Sequence, residues 1–104
     1  MERKFMKGNE AIAEAAVRAG CRFYAGYPIT PQSEVPEYLS RALSKAGGIF
    51  VQGESEVASI NMVYGAGAGG TLAMTSTSGP GISLMAEGIA SLAAAGVPSV
   101  IVDI

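Results

Sequence analysis

Four short apolar runs, "CRFYAGY", "IFVQG", "TLAMTS" and "SVIVDI", alternate along the chain with four helix-like stretches. That alternation leaves few architectures open. The first helix is expected over residues 8–19, with Asn9 able to cap it, Glu10 and Glu14 in its N-terminal half, Arg18 near its end and Gly20 stopping it. Ser33 is placed to cap a second helix running to about Lys45, with Glu34 in its first turn and Pro36 early enough to be tolerated. "SEVASINMVYGAGA" follows as a third, with Val57, Ile60 and Tyr64 spaced along one side. A fourth puts Ile82, Met85, Ile89 and Leu92 on one stripe, and Gly96-Val97-Pro98 ends it. Strands without an apolar/polar alternation, separated by helices, imply a parallel sheet with helices on both faces, an α/β fold in a single domain over 1–104.

Such a sheet gathers function on one edge, because ligands bind outside the carboxyl ends of parallel strands. Three loops leave those ends: "YPITP" after the first strand, "QGESE" after the second and "TSTSGPG" after the third. The connections at the opposite edge, "AG", "AGG" and "AGVP", carry no polar side chain.

The two prolines of "YPITP" bias Tyr27 and Thr30 away from helix, so this loop is stiff and extended. It can hold the Thr30 hydroxyl in place, although a plain connector would read the same way. "TSTSGPG" offers the hydroxyls of Ser76, Thr77 and Ser78, with Gly79 and Gly81 allowing close backbone approach to a polar ligand. No lysine accompanies it, which excludes a Walker loop. "QGESE" brings Glu54 and Glu56 to a helix start, where one carboxylate is explained by the helix dipole and the other is left for a ligand. "GAGAGG" matches a dinucleotide fingerprint in letters only: a helix precedes it and a strand follows, the reverse of what that motif needs.

Charge is unevenly spread. All seven Lys and Arg residues lie within the first 45 positions, and from Ala46 onward the only charges are Glu54, Glu56, Glu87 and Asp103. A segment so uncharged is expected to be covered by other protein, which implies an oligomer. A net charge of −2 with no basic patch argues against nucleic acid. The lone Cys21 reads as a core thiol, and a chain with one cysteine and no histidine offers no iron–sulfur or zinc ligand set. No apolar leader or run of membrane-spanning length is present, so a cytoplasmic protein is expected.

The segments "GNEAIAEAAVRAGCRFYAGYPITPQSEVPEYLS", "FVQGESEVASINMVYGAGAGG" and "MTSTSGPGISLMAEGIASLAAAGVPSVIVDI" resemble the N-terminal part of the α-type subunit of 2-oxoacid:ferredoxin oxidoreductases. "MKGNEA" and "YPITPQSEVPEY" are most similar to the branched-chain (2-oxoisovalerate) branch of that family. The resemblance implies the pyrimidine-binding domain of a thiamine-diphosphate enzyme. It implies that Glu56, not Glu54, faces N1′ of the aminopyrimidine ring and that Thr30 lies beside the reacting substrate. Ile29, Thr30, Ser78 and Gly79 would contact the cofactor. The family's reaction decarboxylates a 2-oxoacid, sends electrons to ferredoxin and transfers the acyl group to coenzyme A.

No GDG…N motif for magnesium and diphosphate occurs, so Mg²⁺ and the iron–sulfur clusters are expected on partner subunits, and this chain carries no metal site. The resemblance also implies that family subunits continue beyond Ile104, so the chain is expected to be a truncated domain, inactive alone. Two other readings stay open: a fragment of an acetolactate-synthase-type thiamine enzyme, and a non-catalytic structural or regulatory remnant.

Overall fold

Side chains that alternate across the four strands divide the core into two halves, one on each face of the sheet. The computed structural model describes residues 3–104. Its elements are α1 (Gly8–Arg18), β1 (Phe23–Gly26), α2 (Glu34–Lys45), β2 (Ile49–Gln52), α3 (Glu56–Ala68), β3 (Ala73–Thr77), α4 (Pro80–Leu84), α5 (Ala86–Ala95) and β4 (Val100–Asp103). All strand pairs are parallel, in the order β2-β1-β3-β4.

On one face, Tyr24 and Met74 pack against Ala13 of α1 and Val35, Leu39 and Leu43 of α2, with Cys21 buried among them. On the other, Ala25 and Ala73 meet Val63 of α3, while Ile60, Met85 and Leu92 form a cluster with Ile101 of β4. Helices therefore cover both faces, as the pattern of apolar runs predicts. Cys21 is indeed a core thiol; burial pushes its pKa up. Among the described residues no helix is long and apolar enough to cross a membrane.

Four local expectations need correction. Asn9 does not cap α1, which begins one residue before it. Its amide nitrogen instead donates to the Pro31 carbonyl and the Glu34 carboxylate, both at 2.8 Å. Ser33 occupies the N-cap position of α2, but its backbone is already helical and its side chain makes no cap bond. The fourth helix is two helices: the chain breaks at Met85, which keeps its side chain in the core. Val57 is half-exposed, because the buried face of α3 is instead Glu56, Ser59, Ile60, Val63 and Gly67. The "GAGAGG" segment spans the end of α3 and the turn before β3, in keeping with its rejection as a nucleotide motif.

Candidate functional site

The strand order decides where a ligand can enter. From β1 the chain moves outward to β2; from β3 it moves the opposite way to β4. The gap between β1 and β3 is therefore the switch point of the sheet, the place where ligands bind in this architecture. Pairing between the two strands covers only Phe23 with Ala73 and Tyr24 with Met74. Both strands continue beyond these pairs, to Gly26 and Thr77, so they part toward their carboxyl ends. The loops 27–33, 53–55 and 78–79 all leave the sheet on this edge.

Loop 27–33 carries Thr30, exposed, and Ile29, half-buried. The Thr30–Pro31 peptide bond is cis. The Gln32 N–H donates to the Ile29 carbonyl at 3.2 Å, closing a turn around Thr30, and Asn9 holds the Pro31 carbonyl from α1. That same Asn9 amide holds the Glu34 carboxyl below its ordinary pKa, with smaller help from a backbone hydrogen bond and from Lys7.

The two carboxylates of "QGESE" have different fates. Ser55 caps α3, its hydroxyl oxygen accepting from the Ala58 N–H at 3.0 Å. The cap fixes the helix register, so Glu56 becomes the first helical residue and folds inward, 7% exposed. Glu54 stays outside the helix in solvent. Although buried, the Glu56 carboxylate accepts no hydrogen bond from any described residue. Its Oε2 lies 3.3 Å from the point where a Cβ on Gly81 would sit, and the Thr77 Oγ1 lies 2.0 Å from the same point. Any side chain at position 81 would collide with one and crowd the other. Glycine there leaves the carboxylate and the hydroxyl facing shared space at the start of α4.

The hydroxyls of "TSTSGPG" do not act as one set, because alternate residues of a strand face opposite ways. Ser76 points to the α1/α2 face, bonded to Tyr24 and Gln32. Thr75 and Thr77 point to the α3/α4 face; both are fully buried, and neither hydroxyl has a partner among the described residues. Ser78 is buried and donates to the Ile104 carbonyl at 2.6 Å, so its proton is committed to the protein and only its oxygen lone pairs remain for a ligand. Gly79 is exposed, with a positive φ of 53° that turns the chain into α4. A separate cleft of about 350 Å³ opens on the α2 side between Gly26, Pro28, Pro36, Phe50 and Gln52; neither Glu56 nor Thr30 lines it.

The structure thus brings Thr30, Glu56 and Ser78 to one edge. It adds two residues that sequence reasoning passed over, Gln32 and Tyr24, and gives Asn9 a role other than the cap expected of it; all three roles come from contacts between elements and leave no mark in local pattern. Among the described residues no group of three or more Cys, Asp and Glu side chains could hold a metal ion.

A sequence profile of the pyruvate flavodoxin/ferredoxin oxidoreductase thiamine-diphosphate-binding domain matches residues 14–104. The chain is 53% identical, over its whole length, to 28% of the 2-oxoglutarate synthase subunit KorA of Methanocaldococcus jannaschii. It is 55% identical, again over its whole length, to 30% of the ketoisovalerate oxidoreductase subunit VorB of Methanothermobacter thermautotrophicus. A solved 2-oxoglutarate:ferredoxin oxidoreductase from Magnetococcus marinus, with 2-oxoglutarate, coenzyme A and succinyl-CoA bound, superposes with a TM-score of 0.94 at 42% identity. That match covers 95% of this chain and 17% of the other. The chain therefore spans less than a third of the length of these relatives.

Proposed function

The chain belongs to the thiamine-diphosphate-binding family of pyruvate flavodoxin/ferredoxin oxidoreductases, and from that premise we propose that it supplies the aminopyrimidine half of a thiamine diphosphate site in a 2-oxoacid:ferredoxin oxidoreductase. The observation that carries this reading is Glu56: a carboxylate buried at the switch-point edge with no partner among the described residues. The residues present fit the ring. An unpartnered carboxylate can share a proton with a heterocyclic nitrogen, the Thr77 hydroxyl is unpartnered beside it, and Gly81 leaves both uncovered. When bound, the cofactor supplies a nucleophilic carbon and an electron sink for decarboxylation. Glu56 would hold the proton at N1′, shielded from water between α3 and α4. Thr30, on its pinned loop, would offer its hydroxyl to the 2-oxoacid, while Ile29, Ser78 and Gly79 would line the cofactor.

Nothing in the chain suggests ligands for a diphosphate-bound Mg²⁺ or for iron–sulfur clusters. These would reside on partner subunits, with ferredoxin and coenzyme A meeting the assembled enzyme. For the substrate we favour a branched-chain 2-oxoacid over 2-oxoglutarate. Loops 27–33, 53–55 and 78–79 contain no Lys or Arg to receive a second carboxylate. Comparing 2-oxoisovalerate with 2-oxoglutarate in the assembled enzyme checks this: a higher kcat/KM for 2-oxoglutarate refutes it.

The cofactor role is tested by Glu56→Gln and Glu54→Gln in the assembled oxidoreductase, followed by oxoacid-dependent dye reduction. An amide cannot exchange a proton with the ring, so Glu56→Gln should lower kcat about 10²-fold or more. Glu54→Gln, an exposed loop change, should leave kcat within about twofold. Equal effects of the two substitutions would refute the assignment.

A further inference from the structure

Beneath the loop that carries Thr30, on the sheet face opposite Glu56, runs a chain of buried hydrogen bonds that crosses the opening between β1 and β3. Tyr24 on β1 is fully buried, and its ring stacks on Phe50 with centroids 5.4 Å apart. Its side chain lies along the strand, so that a Cβ on Gly26 would fall 2.2 Å from the Tyr24 hydroxyl oxygen. Glycine at 26 is what lets the phenol reach the carboxyl end of the sheet. There it meets Ser76 Oγ of β3 at 2.9 Å. Ser76 in turn donates to Gln32 Oε1 at 2.6 Å. Since Ser76 has one proton and gives it to Gln32, the Tyr24 hydroxyl donates to Ser76, and the bonds run in one direction from strand to strand to loop. Gln32 is fully buried two residues after Thr30.

Backbone pairing between β1 and β3 stops at Tyr24 and Met74, yet the Thr30 loop begins after Gly26. Backbone bonds across the switch point therefore do not reach the base of that loop; the side-chain relay does. We propose that Gln32, through Ser76 and Tyr24, is a positioning residue that fixes the Thr30 loop across the opening between β1 and β3. The inference rests on the cofactor reading for its functional consequence, while its structural part stands apart from it. A neighbouring tie from Asn9 to the Pro31 carbonyl reaches the loop from the α1 side, so loss of the relay loosens the loop without releasing it.

The test uses Ser76→Ala, Gln32→Leu and Tyr24→Phe, measured by amide hydrogen exchange in the 104-residue chain and by steady-state kinetics in the assembled oxidoreductase. Ser76→Ala and Gln32→Leu should each speed exchange in residues 27–33 about tenfold more than any change in the amides of β1 and β3, which follow only the loss of global stability. Combining the two should add little, because both cut the same relay. Tyr24→Phe, which leaves the Ser76–Gln32 bond, should have the smaller effect. In the enzyme, kcat should fall about tenfold while KM for the 2-oxoacid stays within about twofold. A general structural role would instead speed exchange by the same factor in the loop and across the sheet, and that pattern overturns the proposal. Exchange in 27–33 left at its original rate overturns it too. If loop exchange rises but Glu56→Gln leaves turnover intact, the cofactor reading fails and the positioning role stands. If Glu56→Gln abolishes turnover while Ser76→Ala changes neither exchange nor kcat, the positioning role fails alone.

Discussion

Three consecutive residues of β3 should respond to the same kind of substitution with alternating sign. Thr75, Ser76 and Thr77 are each fully buried. The hydroxyls of Thr75 and Thr77 have no partner among the described residues, whereas Ser76 is bonded to both Tyr24 and Gln32. A buried hydroxyl without a partner costs about 1–3 kcal/mol relative to its hydrated state. Valine keeps the shape of threonine and the branched Cβ favoured in strands, and removes that cost. Thr75→Val and Thr77→Val should therefore each stabilise the chain by about 1 kcal/mol, or about 4–8 °C in Tm for a domain of this size. Ser76→Ala should destabilise it by about 1–3 kcal/mol, because Gln32 and Tyr24 lose their partner in the interior. Urea unfolding with unchanged m-values, checked by scanning calorimetry, reads all three. A loss of 1 kcal/mol or more in Thr77→Val would mean that its hydroxyl is bonded in the folded chain, and the reasoning would fail. The gain should also reverse in function. If Thr77 faces the cofactor beside Glu56, Thr77→Val should weaken thiamine diphosphate retention by the assembled enzyme while raising its stability.

Gly81→Ala should destabilise the chain by about 1–3 kcal/mol, since its Cβ lands on Thr77 Oγ1, and Thr77→Ala in the same chain should recover most of the loss; failure of that rescue in urea titrations refutes the clash. The chain alone should show no measurable thiamine diphosphate binding by calorimetry and should self-associate in light scattering; tight, magnesium-dependent binding by a monomer contradicts this. The Glu14 carboxyl is held below its ordinary value of 4.5, first by the Tyr38 hydroxyl and then by Arg18. A lowered carboxylate contributes stability above its unfolded pKa and loses it as pH falls through the folded value, so Glu14→Gln should lower stability at neutral pH and flatten the acid limb below about pH 4.5, where variant and parent converge; equal stabilities at neutral pH contradict this.

Much of this architecture is legible in the residues. Near-continuous apolar runs separated by helix-like stretches leave a parallel sheet as the economical solution, and parallelism alone puts Thr30, Glu56 and Ser78 on one edge. Other features depend on contacts that no local pattern encodes. Asn9 has the chemistry of a cap, and only the approach of loop 27–33 to α1 reveals what it binds. Gln32 sits between Pro31 and Ser33, where polarity reads as exposure, and it is buried because Ser76 and Tyr24 lie beneath it. Glu54 and Glu56 flank the same serine, and the Ser55 cap separates them by setting the helix register. The order of strands, and with it the switch point, follows from crossovers that individual segments do not specify.

The placement of the site between β1 and β3 also bears on when it forms. β1 pairs with β2 along four residues that lie 26 positions away, as Phe23 with Ile49, whereas its pairing with β3 joins Phe23 to Ala73 through only two. Closing the longer loop carries the larger entropy cost, and fewer pairs reward it. The half-sheet of β1 and β2, with α1 and α2 packed on it, can therefore assemble first. On a ribosome, the loop bearing Thr30 would emerge and fold against Asn9 before Glu56, Thr77 and Gly81 have joined it. Docking of β3 is then the late step, and it completes the pocket in the same movement that completes the sheet. The weakest seam of the domain and its ligand entrance coincide, so the first opening fluctuation of the folded chain should separate Thr30 from Thr77 and Ser78.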